Sequence, residues 1–161
     1  MNGYGLLGAF WGLVALALLT LAIRAWMMRT KSQSLILPTP ASISDSHSGR
    51  FLADQHYVAS VLTDSPLERV TAHGLGPRGR CDIAVDITGI ALKRKGESDF
   101  FIPAGSITSL ELTNAALGRA VEPDGLTLIN WHLGDTAITT VIRFPRAAER
   151  NAFMNQSSIL N

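Results

Sequence analysis

Lys93-Arg94-Lys95 sets three cations in a row between two apolar stretches, and Arg78 and Arg80 stand in a glycine-rich loop before them. Brought onto one face, these five residues could hold anionic lipid headgroups, since each basic side chain near such a surface contributes about 1 kcal/mol. The competing expectation is a solvated hairpin whose charges blunt strand edges against unwanted pairing. His73-Gly74-Leu75-Gly76-Pro77-Arg78-Gly79-Arg80 has the glycines of a phosphate cradle. It lacks the G-x-x-x-x-G-K-[ST] spacing and a following helix of sufficient length, so its glycines are read as turn or bulge positions. His56, His73 and His132 with Cys81 are separated by 17, 8 and 51 positions, which matches no usual metal-ligand pattern. Asp82, Asp86, Glu122 and Asp124 offer carboxylates, but no activated nucleophile or paired base accompanies them. A non-enzymatic protein without cofactor or metal is expected. His47 lies in a serine-rich stretch and reads as solvated and idle.

The elements that must position these groups begin with residues 4–23, which carry no charged side chain and are followed by Arg24, Arg29 and Lys31. At 1.5 Å per residue such a run spans roughly 30 Å, the hydrocarbon thickness of a bilayer. A cleaved secretion signal would need a basic leader, a shorter apolar run and a small-x-small site. None of these is present, so an uncleaved anchor is expected, with Tyr4 and Trp26 near its ends at headgroup level. The nearby basic residues all follow the span, which places the N-terminus outside and the folded part in the cytoplasm by the positive-inside bias. The single Cys81 suits that reducing side. Gly8 and Gly12 form a GxxxG spacing that would let two helix backbones approach closely.

Between the anchor and the rest, serine, threonine and proline dominate, a composition that buries too little to order itself. The expected organisation is therefore an anchor and basic flank over 1–31, a flexible linker over 32–53 and a folded domain over 54–161. From Phe51 onward the chain carries 10 Lys/Arg against 12 Asp/Glu, so the overall charge of +1 conceals a folded part of net −2. A nucleic-acid binder would carry its basic excess on that part, and nucleic acid is set aside.

Alternation with period two dominates the domain. Cys81, Ile83, Val85 and Ile87 share one face, Ile90 and Leu92 resume it, and Lys93 and Lys95 point the other way. Phe100–Ile102, Ile107–Thr113 with Leu110 and Leu112 inward, Gly125–Leu133 with Trp131 in the core, and Ile138–Phe144 read as further strands. Gly134-Asp135 is a two-residue hairpin signal. Pro145 can open a last helix at its first position, with Ala148, Ala152 and Phe153 at helical spacing. Short strands closed by one terminal helix make a mainly β barrel or sandwich plugged by that helix.

The strings Arg69–Arg80, Ile87–Ile90, Phe101–Ala104 and Val121–Leu126 resemble the bacterial PH-like domain of small actinobacterial membrane proteins, and the resemblance covers most of Tyr57 to Phe153. It implies a split barrel of two near-orthogonal antiparallel sheets capped by a C-terminal helix. Members of that family are loosely described as export- or transporter-like membrane proteins. The resemblance brings no assigned activity. The reading that follows is a membrane-tethered adaptor that docks a protein partner, with anionic-lipid recognition through Arg78, Arg80, Lys93, Arg94 and Lys95 second. An accessory role in a transport complex, or homo-oligomerisation through the helix, is third. Replacing both Gly8 and Gly12 with Leu should abolish self-association in detergent sedimentation; unchanged association would remove the glycine face as a contact.

Overall fold

The computed structural model describes residues 3–44, 47–116, 119–120 and 125–160. Glu122 and Asp124 lie outside them, as does most of the Val121–Leu126 string. Helix α1 runs over Gly3–Ile36, 34 residues, or about 51 Å. Its stretch Leu7–Met28 is long and apolar enough to cross a membrane, and none of it is buried. The helix overruns the linker boundary expected at Ser32. Residues 29–36 hold no glycine or proline, and it is Pro38 that ends the helix, because a proline disfavours helical geometry in the residue before it.

The strands are β1 (Leu52–Leu62), β2 (Ser65–Arg69), β3 (Gly79–Asp86), β4 (Gly89–Arg94), β5 (Phe100–Pro103), β6 (Ile107–Thr113), β7 (Ala115–Ala116), β8 (Arg119–Ala120), β9 (Leu126–Leu133) and β10 (Thr136–Arg143). Helix α2 follows at Ala147–Ser157. The main sheet has eight strands in the order β5-β4-β3-β1-β10-β9-β6, with β2 paired to β1; β7 and β8 pair with each other. All pairings are antiparallel.

Hydrogen bonding runs continuously across the junction between the two expected sheets, because one long strand belongs to both halves. The first part of β1 pairs with β3 (Leu52↔Ile83 to Tyr57↔Gly79), and the rest pairs with β10 (His56↔Arg143 to Leu62↔Ile138). A register shift between Tyr57 and Ala59 falls at this handover, where an extra residue bends and twists a strand. The turns follow the glycines. Gly134 takes φ +62° in the β9–β10 hairpin, and Gly89 takes φ +147° where an added Cβ would meet the Ile102 carbonyl oxygen.

Tyr57, Ile83, Ile90, Leu92, Phe100, Ile102, Ile129, Trp131, Ile138 and Ile142 form the core. Phe153 of α2 closes it, its ring tilted against that of Phe144 at 5.2 Å between centres. Pro145 stands two residues before the first helical position expected for it, because Arg146 is the N-cap and Ala147 opens the helix. Ile87, expected inside, occupies the β3–β4 turn and is 78% exposed. Leu112 keeps the core-side face expected of it, opposite the buried Thr127, but is 38% exposed near the end of β6, an edge strand.

The segment expected as a flexible linker is laid across the domain. Leu37 is buried in the core, Ala41 bridges Phe101 at the edge of β5, and residues 47–51 pass over the outer face of β3 and β4. A Cβ at Gly49 would lie 2.5 Å from the Val85 carbonyl oxygen, so glycine is required for this approach.

Candidate functional site

Two features stand out on the domain: the junction with α1, and the contrast between the two edges of the sheet. At the junction, Gln33 near the end of α1 reaches the chain just after β2. Its Oε1 accepts from the Thr71 amide at 2.6 Å and from the Thr71 hydroxyl at 2.9 Å, and its Nε2 donates to the Arg69 carbonyl at 3.2 Å. His73 Nε2 lies 2.8 Å from the Leu37 carbonyl oxygen. A short 3-10 turn at Ala72–Gly74, with His73 at φ +53°, presents these groups to the helix.

The loop that bears this turn is held from below by Arg94. The side chain is 6% exposed; Nη1 donates to the Gly74 carbonyl at 2.6 Å and Nη2 to the Pro77 carbonyl at 2.8 Å. Its guanidinium lies 4.1 Å from the centre of the Tyr57 ring, a desolvated cation–π geometry. The Tyr57 hydroxyl donates to the Leu75 carbonyl and joins a buried chain through Ser60 and Thr140 to the indole N–H of Trp131.

The five expected basic residues are therefore not one group. Arg94 faces inward, a correction to its place in a lipid contact. The reason is parity: it lies two and four residues beyond Leu92 and Ile90 on the same strand face. Lys93 and Lys95 face outward with Arg80 on the neighbouring strand. Lys95 and Arg80 share Asp54, at 3.0 and 3.6 Å, and the Lys95 hydrogen bond holds that exposed carboxyl below its ordinary range. Lys93 sits 4.4 Å over the Phe51 ring. Arg78 is exposed in the loop before β3.

The residues grouped on paper around a metal are also dispersed. His73 serves the helix junction, and His132 lies beside Thr108 at 3.3 Å. Cys81 is fully buried, and burial pushes its thiol up to about 12. On α1, a Cβ added at Gly8 or Gly12 would meet nothing within 4 Å in the single chain.

The sheet edges differ. On β5, the Phe101 amide donates to the Ala41 carbonyl at 2.7 Å, so the chain closes this edge with the segment that follows α1. On β6, strand pairing is to β9 alone among the described residues. A polar array lies beside it, in which the Asn130 amide donates to Ser109 and Glu111 and its oxygen accepts from Thr139.

Residues 36–158 match a family model described as Bacterial PH domain-like. The match begins in the last turn of α1, so the segment crossing β3–β5 falls within it. No curated protein matches the chain.

That crossing segment is clasped at His47, whose side chain is 1% exposed, a correction to the solvated histidine expected there. Its Nδ1 lies 3.0 Å from Asp86 Oδ2, and its ring packs edge-on against Phe101 at 5.8 Å. Asp86 accepts from the Ser48 amide at 2.8 Å, the Thr88 amide at 2.8 Å and the Thr88 hydroxyl. Burial opposes the Asp86 charge, but the Thr88 hydroxyl, these amides and His47 outweigh it and hold the carboxyl at about 2. A carboxyl depressed in the fold contributes stability that is complete above its ordinary value near 3.8 and is lost as the pH falls towards 2. Asp86→Asn should flatten the acid limb of a stability-against-pH curve measured by urea unfolding; an unchanged slope between pH 4 and 2 would show that the clasp does not form.

Proposed function

The chain belongs to the Bacterial PH domain-like family, and from that membership we propose that it is a membrane-anchored binding module that docks a protein partner along the open edge of β6. PH-like domains are generally non-catalytic binding modules. An exposed edge offers a row of backbone donors and acceptors to an extended peptide, which joins the sheet as an added strand. The observation carrying this reading is the contrast between the edges. The chain covers β5 with Ala41, while residues 107–112 of β6 have β9 as their strand partner among the described residues. Helix α1 anchors the module, with the N-terminus outside and the domain in the cytoplasm, where Arg24 stands near the end of the span Leu7–Met28 and Arg29 and Lys31 follow it.

Two other readings have narrower support. Anionic-lipid recognition retains Arg78, Arg80, Lys93 and Lys95, of which Arg80 and Lys95 are already offset by Asp54. An accessory role in a membrane transport complex would use the Gly8 and Gly12 face of α1. One span cannot by itself enclose a translocation path.

A photo-crosslinking residue at Leu112 should give a discrete protein adduct in membranes of cells producing the chain, whereas the same residue at Ile87 should not. The Leu112 adduct should also disappear when Leu110 is replaced by Lys. Adducts at Ile87 alone, or only lipid adducts from sites at Lys93 and Lys95, would contradict the β6 assignment.

A further inference from the structure

The junction between α1 and the domain fixes which end of the sheet stands against the bilayer. This step rests on the reading of α1 as a membrane span. Met28 ends the apolar stretch. Gln33 lies five residues further along the same helix, about 7.5 Å higher at 1.5 Å per residue. The headgroup layer on each side of a bilayer is roughly 5–7 Å thick. The groups bonded to Gln33, the Arg69 carbonyl and Thr71, therefore stand at the outer limit of the headgroups. Pro38 abuts Gly134, which brings the β9–β10 turn to the same end of the sheet as the helix. The β1–β2 turn belongs there too, because Thr63 donates to the Ala137 carbonyl at the start of β10.

Leu67 lies two residues before Arg69 on β2, within about 7 Å along the strand. It is 78% exposed, with Ser65 and Pro66 exposed beside it, and β2 pairs only with β1 among the described residues. Pro66 has no backbone N–H to leave unpaired where water is scarce. We propose that β2 lies in the headgroup layer of the bilayer that α1 crosses, with Leu67 entering it as a second, apolar membrane contact. Ile87 provides the internal comparison. It is equally exposed at 78%, but β3 runs antiparallel to β1 and carries it to the opposite end of the sheet. Two aliphatic side chains of equal exposure thus differ in the surface they face.

The test uses the full chain in vesicles of phosphatidylcholine and phosphatidylglycerol. An environment-sensitive fluorophore is attached at Leu67→Cys, Ile87→Cys or Leu13→Cys in separate preparations. Fully buried Cys81 leaves the unsubstituted chain as the blank. The expected result is a blue-shifted emission at Leu67 that is quenched by a lipid doxyl-labelled near the headgroup, with much less quenching at Ile87. Leu13 should be quenched by a lipid labelled deep in the chain. Quenching at Leu13 with none at Leu67, or equal quenching at Leu67 and Ile87, would overturn the proposal and leave the span standing. No quenching at Leu13 would overturn the span itself, and the proposal with it.

Discussion

The guanidinium of Arg94 lies between the Tyr57 ring and the carbonyls of Gly74 and Pro77, and the position of the loop over residues 72–77 depends on it. That loop has little else to order it, being rich in glycine and short of apolar side chains beyond Ala72 and Leu75. Removing the donors would take from the loop two charge-assisted hydrogen bonds, to the Gly74 and Pro77 carbonyls. Tyr57 holds the same loop at Leu75 and passes the constraint through Ser60 and Thr140 to Trp131. One buried cation and one buried phenol thus tie a surface loop to four strands. The loop carries Thr71 and His73, and through them the end of α1. The route from α1 to the sheet is a short series of hydrogen bonds and ring contacts.

The segment between α1 and β1 completes this arrangement by a different means. Its described residues form no helix or strand, yet they place Leu37 in the core, Ala41 on the β5 edge, and His47 and Ser48 on Asp86. Its effect on binding is to remove one edge of the sheet and part of the outer face from competition. At the other end of the strand order, β6 has β9 as its strand partner among the described residues. On the proposed reading, the fixed junction would present that edge in a set direction, and a partner would meet an oriented surface and not one sampled by a swinging domain.

The strands were legible because one face of each is buried, so the alternation of Ile83, Val85, Ile90, Leu92, Ile129 and Ile138 in the sequence is the alternation of the fold. The same parity carried the signal for Arg94, which continues the Ile90 and Leu92 face; reading Lys93-Arg94-Lys95 as a charge run concealed it. The continuity of the sheet was not legible, since nothing local marks β1 as a strand with two partners in turn. The ordering of residues 37–44 and 47–51 was missed for a related reason. Composition describes what a segment can bury by itself, and this one is ordered by contacts with residues far along the chain, such as Phe101 and Asp86. Gln33 carries no local signature at all, because its partners lie 36 and 38 positions away. Of the candidate site, Lys93, Lys95, Arg78 and Arg80 are exposed as their types suggest, while the open edge follows only from the strand order.

The central claim is that the domain is fixed to its helix and does not swing on a tether. It is tested most directly by the distribution of distances between spin labels at Met28→Cys and Ile87→Cys, measured by pulsed electron resonance on the full chain in vesicles. The junction predicts a single narrow distribution that broadens when Gln33 is replaced by Ala. A broad distribution in the unaltered junction, unchanged by Gln33→Ala, would contradict the account and restore the flexible linker.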